Sequence, residues 1–190
     1  GSYHSIYDSI TWFTTHMDPD FQYSRALAQV MGTAILRMAQ APVLPFEFTA
    51  VESTVREWME DLESKKAADF GPVREALDRL RKAAAEYEAA YLKRRGTADG
   101  AKLAAVNGAL REAEHALTDP GGLPGRSFYK HMLFAPGLYT GYSARTLPSV
   151  REPADLGRKA EAQAGVGPLA AALERLTAKV REATQALGAI

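Results

Sequence analysis

Histidine and cysteine, the side chains that most often bind zinc together with carboxylates, are scarce in this sequence of 190 residues. It contains four histidines and no cysteine, so a zinc site would have to use imidazole and carboxylate ligands. The H-E-x-x-H helix, the phosphate-binding glycine loop and the G-x-S-x-G turn are all absent. His4 with Asp8 supplies two metal ligands at most, whereas a catalytic zinc site takes about three from the protein. Composition and spacing alone therefore do not identify a reaction.

The charge balance excludes several classes of partner. Lys and Arg together number 23, as do Asp and Glu, so the formal net charge is zero. A neutral chain with mixed signs lacks the basic surface that nucleic acid or an anionic membrane requires. There is also no apolar run of the roughly 20 residues that cross a bilayer. We therefore expect no nucleic-acid partner and no membrane contact by this segment.

Apolar residues recur every three or four positions along most of the chain, which predicts helices. The first predicted helix follows Asp18-Pro19, with Asp18 as its cap and one buried apolar stripe. A second helix is predicted to begin at Thr49, where Glu52 completes a capping box. Three further helices are predicted, beginning near Gly71-Pro72, covering residues 103–117 and beginning near Gly167-Pro168.

These helices predict an all-α fold, a four-helix-type bundle with a long ordered aromatic loop between the last helices. The alternation of three and four residues between apolar positions favours near-parallel packing at about 20°. Proline and glycine interrupt the pattern too often for one long coiled coil. His115 falls between the apolar positions of the fourth helix, so it is predicted to lie on the bundle surface.

The aromatic loop, residues 118–153, has little helical periodicity but many aromatic and turn-forming residues. Loops of this length inside a compact domain are uncommon and are usually functional or disordered. Its aromatic side chains can bury area, which argues for order. His131 is predicted to be a hydrogen-bonded packing residue. The aromatic residues of the loop are Phe128, Tyr129, Phe134, Tyr139 and Tyr142.

Three ordered motifs resemble glutamate carboxypeptidase II and its relatives. Residues 1–9 read GSYHSIYDS and resemble the end of that family's protease domain. Residues 18–48, which begin DPDFQYSRALAQ, resemble the helix that follows there, and residues 119–136 read DPGGLPGRSFYKHMLFAP and resemble a loop of the same family. The resemblance implies the C-terminus of a zinc exopeptidase, in the module called the transferrin receptor-like dimerisation domain.

The same resemblance implies a division of the chain. Residues 1–18 are then a remnant of the protease-domain C-terminal segment, and residues 19–190 are the helical dimerisation domain. The aromatic loop is expected to reach toward the missing protease domain. Because the chain begins inside a motif that continues upstream in the family, we expect an excised or truncated domain.

Roles for particular residues are implied by the resemblance. His4 corresponds to the family's ligand of one of two zinc ions, and Tyr3 to a hydrogen-bond donor to the substrate carbonyl as it becomes tetrahedral. The other zinc ligands and the general-base Glu lie upstream in the family. We therefore expect no zinc to be bound by this segment alone and no catalysis in isolation.

The substrate pocket is expected to differ from that of the family. In the family, a Lys-Tyr pair binds the carboxylates of a terminal glutamate. The corresponding residues of this sequence are Gly141-Tyr142. Tyr142 keeps a hydrogen-bond donor for the substrate, but the cation is missing. The substitution predicts a weaker preference for an acidic terminal residue, because a charge-assisted bond is lost.

A second interpretation is a non-catalytic, transferrin receptor-like structural or interaction module. That branch lacks the zinc-binding histidine of the first motif, so His4 favours the peptidase branch. The resemblance implies a homodimer through helices, with the protease domain and a peptide substrate as further partners. The sequence does not identify a compartment, although the resemblance is compatible with a secreted or membrane-anchored parent.

Overall fold

The computed structural model describes residues 3–94, 100–141 and 143–188. Within these ranges the chain forms seven α-helices, a π-helical turn and one small antiparallel sheet, so the all-α prediction is confirmed. The chain divides into two compact units, Gly1–Ala41 and Pro42–Ile190. No helix of the described ranges is long and apolar enough to span a lipid bilayer.

The first unit contains two helices joined by a capping turn. Helix α1, Ile10–Trp12, continues as a π-helical turn over Phe13–Met17, and helix α2 covers Gln22–Ala39. The carboxylate of Asp18 accepts the backbone N–H groups of Tyr23 and Ser24, so it caps α2 as predicted. The helix begins later than Pro19, because Phe21 adopts a left-handed backbone conformation with φ of 54°.

The hydrogen bonds of this cap also lower the pKa of Asp18. Asp18 is only 3% exposed. Burial acts to raise the pKa of the carboxyl, but the N–H donors from Ser24 and Tyr23 outweigh it and hold the pKa below its usual range.

The apolar stripe of α2 is not buried, so that part of the prediction is wrong. None of its residues 22–39, all of which are described, is buried. Leu27 is 63% exposed and Val30 is 65% exposed. Periodicity defines the apolar face of a helix, but burial also requires a surface that packs against it.

The second unit is a helical bundle. It consists of α3 (Phe48–Ser64), α4 (Gly71–Arg94), α5 (Gly100–Ala116) and α7 (Lys159–Gly188). The long helix α7 packs against both α4 and α5, and α3 packs against α4. Large apolar side chains from these helices fill the core, among them Met59, Leu77, Leu80, Leu110, Leu169, Leu173 and Leu176.

The predicted capping box at Thr49 does not form. Helix α3 begins at Phe48, and the backbone N–H and hydroxyl of Thr49 both donate to Glu88 of α4, at 3.0 and 2.7 Å. Glu52 is instead paired with Arg56, with 2.6 Å between Nη2 and Oε1. A contact between helices has therefore replaced the local cap.

Helix α7 also begins earlier than predicted, at Lys159, and Pro168 lies inside it. The preceding turns bury Ala162 and Val166, and this packing outweighs the helix-breaking tendency of proline and glycine. Gly165 lies so close to the backbone carbonyl of Ser149 that an added Cβ would collide with it.

The described residues of the aromatic loop form regular structure. Strands β1 (Phe134–Pro136) and β2 (Ala144–Thr146) form an antiparallel hairpin in which Phe134 pairs with Thr146. Helix α6, Pro148–Asp155, follows directly and packs against α7. Several apolar residues of the loop belong to the core of the second unit, including Leu123, Met132, Leu133, Ala135 and Leu147.

Candidate functional site

The predicted zinc ligand lies on an exposed turn in the first unit. The backbone N–H of His4 donates to Oδ2 of Asp8 at 3.1 Å, and His4 has a positive φ of 59°. The rings of Tyr3 and His4 are stacked, with 4.0 Å between their centroids. Tyr3 is 73% exposed, and His4 is also exposed. The structure therefore brings these two predicted site residues together at the surface.

The described residues do not form a complete metal centre. Within residues 3–94, 100–141 and 143–188, no group of three or more His, Asp or Glu side chains is placed to hold a metal ion. Oδ2 of Asp8 accepts the backbone N–H of His4, and the imidazole of His4 with the carboxylate of Asp8 gives this turn two side chains of metal-binding type. These residues fit a contribution to a zinc site and not a whole one.

A partly buried ion pair holds the hairpin of the aromatic loop. Arg126 donates to the carbonyl of Pro136 and to Oε2 of Glu152, the latter at 2.6 Å. The other oxygen of Glu152 accepts the N–H of Leu138 at 2.8 Å. The two charged side chains are only 11% and 14% exposed. The guanidinium also lies over the ring of Tyr129, 5.4 Å from its centroid.

Sequence reasoning missed this pair. Arg126 lies inside the third family-like motif and Glu152 lies at the end of the aromatic loop, so both were visible as charges in a segment rich in apolar and turn residues. Their pairing depends on the chain folding back between residues 126 and 152. No local pattern in the sequence indicates that it does so. A buried charge in such a loop is a usable signal, because it requires a partner.

A second anchor connects the hairpin to α3. The Nε of Arg151 donates to the carbonyl of Thr146 at 3.0 Å, and its Nη1 lies 2.7 Å from Oδ2 of Asp61. The bonds from Lys65 and Arg151 hold the pKa of the Asp61 carboxyl below its usual range. Both ends of the hairpin are thus attached to charged side chains.

Several aromatic side chains of the aromatic loop are exposed. Phe128 is 88% exposed, Tyr139 is 75% exposed and Phe134 is 47% exposed. A shallow cavity of about 350 Å³ lies beside Phe128 and Phe134. Exposed aromatic clusters of this kind mark surfaces that contact another molecule or domain.

The predicted substrate-binding residue Tyr142 lies outside the described residues. Its neighbours Gly141 and Ser143 belong to the turn of the hairpin, where Gly141 has a positive φ of 62°. The turn belongs to the second unit, whereas Tyr3 and His4 belong to the first.

A further cavity of about 510 Å³ lies between the aromatic loop, α6 and the first turns of α7. Most of its lining is apolar, with Met132, Leu138 and Pro168 among the contributors. Glu152 also lines it, so the ion pair that holds the hairpin borders this space.

The histidines of the second unit have the structural roles that the sequence predicts. Nδ1 of His131 accepts the N–H groups of Leu133 and Phe134, at 3.2 and 3.3 Å, while Nε2 lies 3.1 Å from Glu114. Desolvation lowers the pKa of His131, and the opposing effect of Glu114 is smaller. His115 lies exposed on α5, 3.3 Å from Glu112.

The comparison with known families agrees with this architecture. The sequence pattern described as the transferrin receptor-like dimerisation domain matches residues 68–181, which is more than half of the chain. That range begins before α4 and ends within α7, so it includes the aromatic loop.

Curated relatives match over most of the chain. It is 31% identical to the probable glutamate carboxypeptidase LAMP1 of Arabidopsis thaliana over 97% of its own length and 27% of that protein. It is 31% identical to a probable glutamate carboxypeptidase of Arthroderma benhamiae, over 84% of the chain and 23% of that protein. It is 25% identical to the inactive zinc metalloprotease C354.09c of Schizosaccharomyces pombe, over 93% of the chain and 24% of that protein.

The chain spans about a quarter of the length of these relatives. The family pattern lies on the helices and loop that form the second unit, and the similarity to the carboxypeptidases extends over nearly the whole chain. The chain belongs to the transferrin receptor-like dimerisation domain family.

Proposed function

We propose that the chain is the C-terminal dimerisation portion of a zinc-dependent exopeptidase of the glutamate carboxypeptidase type, and that it does not hydrolyse peptides by itself. The observation that carries this proposal is 31% identity to a probable glutamate carboxypeptidase over 97% of the chain. The chain corresponds to only 27% of that protein, which leaves ample length there for further metal ligands.

His4 is the proposed zinc ligand that this chain contributes. Its exposure on a turn held by Asp8 supports this role, since a ligand for a shared centre must be presented outward. The whole enzyme is proposed to hold two zinc ions, with the remaining ligands outside residues 1–190. We propose that this chain alone binds no zinc; metal analysis of the purified 190-residue chain tests this.

Tyr3 is proposed to donate a hydrogen bond to the substrate oxygen on which negative charge develops. A donor aimed at that oxygen lowers the barrier, because its bond is stronger in the transition state than in the substrate. Its adjacency to His4 and its 73% exposure support such a role at the mouth of a cleft.

Tyr142 is proposed to bind the C-terminal residue of the peptide substrate. Gly141 precedes it, so no cation adjoins the phenol in the sequence. A neutral donor recognises a second carboxylate less strongly than a lysine does. We therefore propose a substrate preference that is less acidic than glutamate.

The domain division and the dimer are proposed together. Residues 1–18 are assigned to the protease-domain segment and residues 19–190 to a helical dimerisation domain, whose aromatic loop contacts the protease domain. The exposed aromatic side chains of that loop support such a contact. Sedimentation of the full-length protein should show a dimer, and a monomer at all concentrations would contradict this part.

Activity and metal content of the full-length protein test the proposal. We expect chelator-sensitive release of C-terminal residues by the full-length protein and none by residues 1–190 with added zinc. His4→Ala should abolish activity and lower the zinc content, whereas the control His16→Ala, in the same unit, should change neither. Chelator-sensitive hydrolysis by the 190-residue chain would contradict the proposal, as would full activity of His4→Ala.

A second candidate function is a non-catalytic interaction module. It is favoured by the 25% identity, over 93% of the chain, to a protein named an inactive zinc metalloprotease. A full-length protein that dimerises but neither binds zinc nor cleaves peptides would establish this candidate in place of the first.

A further inference from the structure

The hairpin of the aromatic loop is too small to hold its own shape. Each of its strands, Phe134–Pro136 and Ala144–Thr146, has three residues, and an isolated two-stranded hairpin is marginal in water at best. In its turn the N–H of Gly137 donates to the carbonyl of Ser143 at 3.0 Å, and the longer bonds between Thr140 and Ser143 are both 3.3 Å. The position of this turn must therefore depend on contacts from outside the hairpin.

Arg126 and Glu152 provide those contacts at the first residue of the turn. Arg126 donates to the carbonyl of Pro136, immediately before Gly137, and Glu152 accepts the N–H of Leu138, immediately after it. The two side chains are also bonded to each other at 2.6 Å. The pair therefore fixes the backbone on both sides of Gly137, where a Cβ would collide with Thr140 and Arg145.

The Arg126–Glu152 pair is better suited to positioning the backbone of the turn than to stabilising the fold. A buried ion pair contributes little net free energy relative to an apolar replacement, because both charges must be desolvated. The planar guanidinium, in contrast, directs its bonds along fixed lines, which a lysine ammonium cannot do. Arg126 uses separate nitrogens for the Pro136 carbonyl and for Glu152, so one rigid group joins the end of β1 to α6.

We propose that Arg126 and Glu152 are positioning residues that set the affinity of the assembled peptidase for the C-terminal end of its substrate, by fixing the backbone on either side of Gly137, where the turn begins. This inference rests on the proposed function, in which that turn contributes to the substrate pocket. The pair acts through the backbone at Pro136 and Leu138 and takes no part in bond cleavage.

The test is Arg126→Lys in the full-length peptidase, with Arg56→Lys as the matched control. Arg56 is also partly buried and paired with glutamate, and its side chain is 18% exposed, but its ion-pair partners are Glu52 of α3 and Asp78 of α4. We expect Arg126→Lys to raise KM about tenfold with kcat within about twofold, the signature of lost binding that is uniform along the reaction. Arg56→Lys should leave both constants unchanged.

Amide hydrogen exchange in the 190-residue chain gives a readout that needs no activity. Arg126→Lys and Glu152→Gln should accelerate exchange at Gly137 and Leu138 by about tenfold or more, while amides in α4 keep their protection. Arg56→Lys should leave Gly137 and Leu138 unaffected. A general loss of protection in every helix would mean a purely structural role and would overturn the inference.

The remaining outcomes separate this inference from the proposed function. An active Arg126→Lys enzyme with unchanged KM overturns the inference alone. A wild-type full-length protein that cleaves no peptide overturns the proposed function, and with it the statement about substrate affinity. An equal rise in KM for Arg56→Lys would show that any damaged ion pair weakens binding, which also overturns the inference.

Discussion

Helices α2 and α7 have similar amphipathic sequences but very different surroundings. In α7 the apolar residues Leu169 and Leu173 are fully buried, whereas in α2 the apolar residues Leu27 and Val30 are about two-thirds exposed. The two helices thus carry the same kind of pattern, but the apolar side chains are buried in α7 and exposed in α2.

The difference shows that helical periodicity specifies a face and not the surface that covers it. The apolar face of α7 is covered by α4 and α5, which the chain itself supplies. Large exposed apolar patches on a folded protein mark contacts with another surface. The apolar face of α2 is exposed in this way, and we expect it to be covered in the full-length protein.

The largest expected effect comes from removing a buried leucine of α7. Leu173→Ala should lower the free energy of unfolding by about 2–5 kcal/mol, because it loses apolar burial and leaves a cavity. The matched control Leu27→Ala in α2 should change it by no more than about 0.5 kcal/mol. Urea unfolding of both variants measures this, and similar losses would remove the contrast between the two helices.

A smaller effect is expected where α6 crosses α7. Gly165→Ala places a methyl group against the backbone carbonyl of Ser149, so it should lower the free energy of unfolding by about 1–3 kcal/mol.

Gly167→Ala is the control on the same helix. Its added Cβ meets nothing within 4 Å, so the variant should gain up to about 1 kcal/mol from helix propensity. The thermal unfolding temperatures of the two variants should therefore shift in opposite directions. A destabilised Gly167→Ala would show that the loss at position 165 does not come from the contact with Ser149.

We expect His131 of the aromatic loop to cause part of the pH dependence of stability. Because burial lowers the pKa of His131 in the folded chain, the unfolded chain binds the proton more readily, near the ordinary value of about 6.5. The free energy of unfolding should then fall as the pH decreases below about 6.5, down to the lower pKa of the folded state. Protonation of Nδ1 would also break its bonds from Leu133 and Phe134.

Two variants check this assignment. His131→Asn should remove part of the acid sensitivity between pH 7 and 5, measured by urea unfolding at each pH, whereas His115→Gln should retain it. Equal curves for His131→Asn and wild type would show that the acid sensitivity comes from other groups.

Sequence reasoning predicted the elements of the bundle well, because their signal is local. The apolar spacing at Leu77 and Leu80 or at Leu169 and Leu173 reports directly on faces that are buried in the structure. The predicted hydrogen-bonded packing role of His131 and the order of the aromatic loop are likewise present.

The parts that sequence reasoning missed depend on contacts between distant residues. The capping box at Thr49 failed because Glu88, 39 positions away, accepts both of its donors. The start of α7 was placed too late because burial of Ala162 and Val166 outweighs the glycines and Pro168. The Arg126–Glu152 pair joins positions 26 residues apart, and no periodic pattern could indicate it.

For the 190-residue chain, the smallest effect on stability is expected on the exposed apolar face of α2. Changes there also give the sharpest test of the comparison between α2 and α7. The double variant Leu27→Gln and Met31→Gln changes two neighbouring apolar side chains that are more than half exposed. In the 190-residue chain it should alter the free energy of unfolding by no more than about 0.5 kcal/mol, while reducing the binding of an apolar dye. Thr33→Gln, on the polar side of the helix, should leave dye binding unchanged.

In the full-length protein the double variant Leu27→Gln and Met31→Gln should lower the free energy of unfolding by several kcal/mol. There the apolar face of α2 would be buried and would have to accommodate two unpaired amides. A loss of that size already in the 190-residue chain would mean that this chain covers α2 itself, and the contrast with α7 would disappear.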